Sequence, residues 1–333
     1  LESRVYFEAR NMIDKPADVE GRVLDDHGAT VATFTSVRDG LGRFTFTPNT
    51  GRSYHAEITR PVGVKERYAL PVPAEKGCVL RTFDDVDGQA EALAVAVRCA
   101  EAHKVVVTAL QHDALLDAAA VEVGIDAPAI VYLKNADAAK QGAEGVARVT
   151  VFDASLSPVA ERVVFRNRRN GLQVKVTPDQ AAYVPREQVA LSVTTTDAAG
   201  KPMAAELALS VVDDTVISFA DDKKGHLLSK MLLEPEVPGT IEEPNFYFDL
   251  TEPKSAAAME MLTGTRGWRR FDWETVKNPP PPPPPNDFGG LGLRGMGRGG
   301  GGMALEGAMG IQVGGAPKLR ARFAAGAIPP PPG

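Results

Sequence analysis

Residues 172–202 read LQVKVTPDQAAYVPREQVALSVTTTDAAGKP, and this run decides the fold. Leu172, Val174 and Val176 alternate with Gln173, Lys175 and Thr177, and Val189, Leu191 and Val193 alternate with Ala190, Ser192 and Thr194. A period of two puts successive side chains on opposite faces of a sheet, so each stretch predicts a strand with one apolar and one polar face. Asp197-Ala198-Ala199-Gly200 follows with the residues a tight reversal needs, Gly200 supplying positive φ and Pro202 limiting what comes next.

The same grammar extends outward. Leu207, Leu209 and Val211 alternate downstream; upstream, Phe44 and Phe46 alternate with Arg43, Thr45 and Thr47, and Tyr54, Ala56 and Ile58 continue the series. Asp25-Asp26-His27-Gly28, Asp39-Gly40 and Asn49-Thr50-Gly51 are hairpin-type connections. Many short antiparallel strands predict an all-β chain of tandem immunoglobulin-like sandwiches. At 333 residues, 44% hydrophobic and 24% charged, the chain has apolar material for two to four cores of roughly 100 residues each.

Three blocks follow: 1–66, read as an incomplete sandwich, 67–168 as a second, and 169–275 as a third with a helical appendage. Pro61, Pro71 and Pro73 bracket the first joint, and the polar run Arg166-Asn167-Arg168-Arg169-Asn170-Gly171 reads as the second. Pro253 suits a first helical turn, and Ala256, Ala257, Ala258, Met259, Met261 and Leu262 predict a short helix ending before Gly264. Next comes Gly267-Trp268-Arg269-Arg270-Phe271-Asp272-Trp273, where Trp268 and Trp273 are structural anchors by virtue of their large apolar area. Residues 276–333, with proline runs at 279–285 and 329–332 around a glycine-rich stretch, read as a disordered, protease-accessible linker or bait-like segment.

Composition excludes several function classes. A net charge of -6 offers no general attraction for nucleic-acid phosphates, and Arg294 and Arg298 among glycines are too few to supply it. No stretch reaches the ~18 apolar residues of a membrane-spanning helix. The string Gly290-Leu291-Gly292-Leu293-Arg294-Gly295 matches a dinucleotide fingerprint only formally, since it follows polyproline rather than a strand. His27, His55, His103, His112 and His226 have no metal-ligand spacing, Asp84-Asp85-Val86-Asp87-Gly88 lacks the later bidentate Glu of a calcium loop, and no nucleophile elbow is present. The chain is therefore read as a non-enzyme without a cofactor. Cys78 and Cys99 are either buried thiols or a bridge, and spacing does not choose between them. Because Arg4 to Glu8 already has strand character, the chain is read as a fragment cut inside its first domain, with any leader outside it.

Tyr183-Val184-Pro185-Arg186-Glu187, Asp197-Ala198-Ala199-Gly200-Lys201-Pro202 and the run from Leu207 to Asp213 together resemble a macroglobulin-like domain of the bacterial alpha-2-macroglobulin family. Arg186 stands where that pattern has Gly. Gly40-Leu41-Gly42-Arg43-Phe44 with Gly51 and Tyr54 resembles the family's strand entry, so the first block also looks like such a domain; Gly145 to Asp153 with Ala160 to Phe165 is similar to a module edge of the same proteins, and Gly-Trp-Arg-Arg-Phe occurs in related surface proteins. The resemblance covers most of residues 1–275. It implies a periplasmic or cell-envelope endopeptidase inhibitor in which sandwiches, together with other domains of a larger chain, present a segment for proteases to cut; Leu293, Arg294 and Arg298 are the candidate cut sites. The family's Gly-Cys-Gly-Glu-Gln thioester is absent around both Cys78 and Cys99. Two other readings share the fold: a structural or adhesive surface protein, and an accessory module of a TonB-dependent outer-membrane transporter.

Overall fold

The structure, a computed structural model, describes residues 1–83, 86–88, 91–112, 114–134, 144–184, 186–212, 225–266 and 319–325. It is all-β, built of antiparallel sheets with a few short helices. The first module contains β1 (Ser3–Asn11), β2 (Glu20–Asp25), β3 (Thr30–Arg38), β4 (Leu41–Phe46), β5 (Tyr54–Arg60) and β6 (Arg67–Ala69). Strand β3 pairs with β2 through Thr30 to Thr35 and with β4 through Ser36 and Arg38. One strand thus serves both layers, which is how a continuous sheet turns a corner and closes over a core.

That core holds Val5, Phe7, Val23, Phe34, Phe44, Tyr54 and Ile58. Phe7 meets Phe34 edge-on at 4.9 Å between centroids, a geometry worth about 1 kcal/mol beyond the area it buries. Two glycines make this packing possible. Gly40 turns at φ +71, and a Cβ on Gly42 would lie 2.3 Å from Phe7 Cζ, so the Gly-x-Gly-x-Phe entry into β4 is a steric requirement of the aromatic core. Leu70 is buried in the same cluster and β6 pairs with β5. Residues 67–70 thus pack with the first module.

The second module packs two sheets face to face. One has the order β10 (Ala114–Val123), β9 (His103–Gln111), β12 (Gly145–Phe152), β13 (Pro158–Arg166); the other runs β11 (Ala129–Lys134), β8 (Ala92–Cys99), β7 (Cys78–Phe83). Between them lie Leu93, Val95, Val97, Val105, Val107, Leu133, Val149, Val151 and Val164. Cys78 and Cys99 sit directly opposite each other on β7 and β8 and form a disulfide, which resolves the two open readings of these cysteines. Strand β13 is buried on both faces: Ala160 and Val164 face the sandwich interior, whereas Val163 and Phe165 face outward into a different cluster.

A helical segment covers that outer face. A π-helical turn at Ser229–Leu233, α1 (Pro244–Phe248) and α2 (Ser255–Arg266) bring Leu233, Val237, Tyr247, Phe248, Met259, Met261 and Leu262 onto Val163, Phe165 and Val146 of the second module and onto Tyr6 and Leu41 of the first. The predicted helix is present, but it passes Gly264 and ends at Arg266. A Cβ on Gly264 would stand 2.4 Å from the Tyr6 ring, so Gly264 is where the helix lies against the first module and does not end it. The helix, read as an appendage of block 169–275, packs on the two preceding modules.

Of that third block, the described residues contain one two-stranded sheet, β14 (Gln173–Pro178) with β15 (Leu191–Thr196). Of residues 276–333, read as a disordered linker or bait-like segment, 319–325 are described and depart from that reading, and the others lie outside the described residues. Leu319–Ala325 forms β16 and pairs antiparallel with β1, adding a seventh strand to the first module. The alternation of Leu319, Ala321 and Phe323 with Arg320 and Arg322 is a strand signal that the Pro/Gly composition around it overshadows.

The Cys78–Cys99 bridge closes a loop across a sequence separation of 21, for which lost unfolded-chain entropy is worth about 3 kcal/mol. A Cys78→Ala/Cys99→Ala double variant is expected to lower unfolding stability by that order. Urea titrations with and without reductant measure it: reductant should destabilise the parent chain alone.

Candidate functional site

The polar centre of the molecule is a single carboxylate on α2. Glu260 Oε1 accepts hydrogen bonds from Arg4 Nη1 at 3.0 Å, the Tyr6 hydroxyl at 3.1 Å and Arg162 Nη2 at 3.2 Å, and from Arg43 Nη1 as well. Arg4 and Tyr6 come from β1, Arg43 from β4 and Arg162 from β13, so one oxygen joins both modules to the helix. Arg162 also donates to the Tyr6 hydroxyl and to Thr82 Oγ1 at 3.2 Å, and its guanidinium lies over the Tyr6 ring at 4.9 Å. Its side chain is 8% exposed and that of Glu260 19%. In such a site the carboxylate is what makes three neighbouring cations tolerable.

A second junction lies in the run read as a polar linker. Arg166, Asn167 and Arg168 are buried. Arg168 forks onto Asp87, with Nε to Oδ1 at 2.7 Å and Nη2 to Oδ2 at 2.9 Å, while Nη1 donates to the Tyr247 carbonyl and to Ser255 Oγ, both at 2.7 Å. The planar, rigid fork of Arg suits this bidentate use. The acidic turn around Asp87 is thereby a docking point for the second module's exit strand. Further contacts tie the helical segment to the first module: Arg266 to Glu8 at 3.0 Å, and Arg38 to Glu243 at 2.5 Å with its guanidinium 3.5 Å from the Phe246 ring centroid.

Beside this junction Glu144, just before β12, faces Gly171; a Cβ on Gly171 would meet its Oε2 at 2.8 Å. Its Oε1 is buried with no hydrogen-bond partner. Burial pushes its carboxyl up to about 7, with the nearby Arg168 charge pulling the other way.

The residues singled out from sequence fall in several places. Tyr183 donates to Asp179 Oδ1 at 2.5 Å and accepts the Gln180 N–H at 3.1 Å, which holds the Asp179 carboxyl below its ordinary range. Glu187 Oε2 accepts the Val184 N–H at 2.8 Å, and Arg186 sits at φ +72. The position where the related pattern carries Gly thus has the left-handed conformation that Gly adopts freely, and Arg186 adopts it at some cost. Gly200 turns at φ +80 with Asp197 Oδ1 accepting the Ala199 and Lys201 N–H groups at 2.9 Å, and Pro202 bridges to Thr196. Tyr183, Arg186 and Glu187 thus lie in the connection between β14 and β15, and Gly200 and Pro202 in the turn that follows β15. Pro185, Asp213, Trp268, Trp273, Leu293, Arg294 and Arg298 lie outside the described residues. Sequence reasoning missed Glu260, Arg162 and Arg168; the one signal was the unbroken apolar run Val163-Val164-Phe165, which announces a strand covered on both faces.

Among the described residues, no group of three or more His, Cys, Asp or Glu could hold a metal ion, and no helix is long and apolar enough to cross a membrane.

The fold and these junctions define a protein of tandem antiparallel β-sandwiches locked by a helical brace. No protein-family model matches the chain, and no curated protein matches it. Solved structures similar to it in part include three from different proteins. A DUF3823 family protein from Bacteroides ovatus is 11% identical with TM-score 0.20, over 48% of this chain and 90% of that one. The BSP domain of a biofilm associated protein is 14% identical with TM-score 0.23, over 45% and 25%. E. coli alpha-2-macroglobulin in its native conformation is 11% identical with TM-score 0.21, over 60% and 17%. The chain thus matches only a small part of the last two.

Replacing Glu260 by Gln removes the charge that three guanidinium groups share. Removing one partner of a buried pair costs about 3 kcal/mol at the lower end of the range, which suits a partly hydrated group; the urea midpoint of Glu260→Gln should fall accordingly. For Glu144 the folded-state value lies above the ordinary 4.5, so the folded chain holds a proton that the unfolded chain releases. Its contribution is fully present below pH 4.5 and lost as pH rises through about 7. Stability measured from pH 4.5 to 8 should decline with this slope, and Glu144→Gln should flatten it.

Proposed function

We propose that this chain is part of an alpha-2-macroglobulin-like endopeptidase inhibitor, in which two braced sandwiches present a Pro/Gly-rich segment to attacking proteases. The observation that carries the reading is the attachment of that segment. Helix α2, which closes at Arg266, packs on Tyr6 and Leu41 of the first module, and β16, which opens at Leu319, pairs with β1 of the same module, so the chain between them joins two anchored elements. A cut between these points removes no residue from either core, yet it severs α2 from β16. Such a segment, poor in core-forming residues by composition, suits a protease's need for an extended, unpaired substrate. The Cys78–Cys99 bridge fits an oxidising compartment, and the periplasm or cell envelope is the location we assign. Proteases and further domains of the same larger protein are the partners this role requires; the sandwiches act as scaffold and not as catalyst.

Limited proteolysis with several unrelated proteases at low ratio tests the proposal. Intact-mass mapping should find the first cuts within 276–318, at sites such as Leu293, Arg294 or Arg298, with 1–269 surviving and the scattering radius changing after the cut. Equal cutting inside the sandwiches would overturn it, and tail cuts with no change in compactness would leave a structural or adhesive module.

A further inference from the structure

We propose that the outer edge of β1 is a peptide-binding strand site whose resident ligand is Leu319–Ala325, and that cutting the chain between α2 and β16 makes this strand exchangeable. The inference rests on the proposed function for the natural source of the cut. It goes further in naming what the cut changes.

The sheet order β16-β1-β4-β3-β2-β5-β6 makes β16 an edge strand with one neighbour. Every other strand of this sheet lies within residues 3–69, whereas β16 arrives after the whole second module and the helical brace. Its ladder runs from Val5↔Ala325 to Asn11↔Leu319 without a register shift. The opposite edge of β1 is occupied by β4, from Ser3↔Phe46 to Glu8↔Leu41. Without β16, β1 would present a row of unpaired N–H and C=O groups, the template on which extended peptides add as strands.

Retention of β16 depends on its tether. A short ladder between two strands is marginal in water, but a covalent connection keeps the strand at an effective concentration on the order of 1 mM. Once the connection to α2 is cut, that advantage is gone. At about 1 μM protein the local supply of strand falls by roughly three orders of magnitude, and the edge of β1 becomes open to any extended peptide of matching register. The ligand class is an unfolded segment of alternating apolar and basic residues, as in Leu319-Arg320-Ala321-Arg322-Phe323.

The test inserts the recognition sequence of a highly specific protease between Gly301 and Gly302 of the full chain, so that cutting does not depend on the natural preference of any protease. A labelled peptide spanning 317–333 is titrated against intact and cut protein, and native mass spectrometry follows the released C-terminal fragment. The cut chain should lose that fragment at about 1 μM and bind the peptide at least about 100-fold more tightly than the intact chain. The same peptide carrying Ala321→Pro and Arg322→Pro should not bind, because successive residues of a strand donate to opposite sides and one of the two prolines must delete a ladder bond. Equal peptide binding before and after cutting, retention of the fragment on dilution, or binding of the proline peptide would each overturn the inference. Failure of natural proteases to cut the segment would instead count against the inhibitor reading, and the two results are separable.

Discussion

The docking of the helix on both modules depends on a carboxylate surrounded by cations. Glu260 stands where Arg4, Arg43 and Arg162 meet, with the Tyr6 hydroxyl completing its shell. Three like charges at such close quarters repel, and desolvation of Arg162 adds to the cost. The arrangement persists because the helix presents one anion to all three. The apolar contacts of Met259, Met261 and Leu262 around it provide most of the burial energy, but the carboxylate sets the orientation, since it can satisfy its partners in only one docking of α2.

How far the sequence reveals this depends on the range over which each signal acts. Strands and hairpins are local: the alternation along β4, β5, β14 and β15 and the turn at Asp197-Ala198-Ala199-Gly200 follow from a few adjacent residues, and the all-β class with them. The helix at 255–266 is equally local, but the need for Gly264 within it comes from the approach of Tyr6 some 250 residues away in sequence. The brace was hidden because its parts are dispersed. An isolated Glu on a helix and four residues scattered over β1, β4 and β13 carry no spacing pattern that could join them.

Arg168 shows the same limitation from the other side. A polar run closing with Gly171 has the composition of a linker, and composition cannot distinguish a solvated arginine from one that has exchanged water for Asp87, Ser255 and a main-chain carbonyl. Strand β16 is a third instance. Its alternation is legible, but a seven-residue signal beside long proline and glycine runs is easily absorbed into them, and only the unfilled edge of β1 gives it a partner.

Strand β13 couples the two sandwiches. Because its inner face belongs to the second sandwich and its outer face to the brace shared with the first, neither sandwich is a separable unit in the thermodynamic sense. A chain ended after residue 168 would leave Val163 and Phe165 facing water, and one begun at residue 71 would strip the brace of Tyr6 and Leu41. The two sandwiches and the brace should therefore melt together, and exchange of either sandwich with that of another protein would have to carry the brace along.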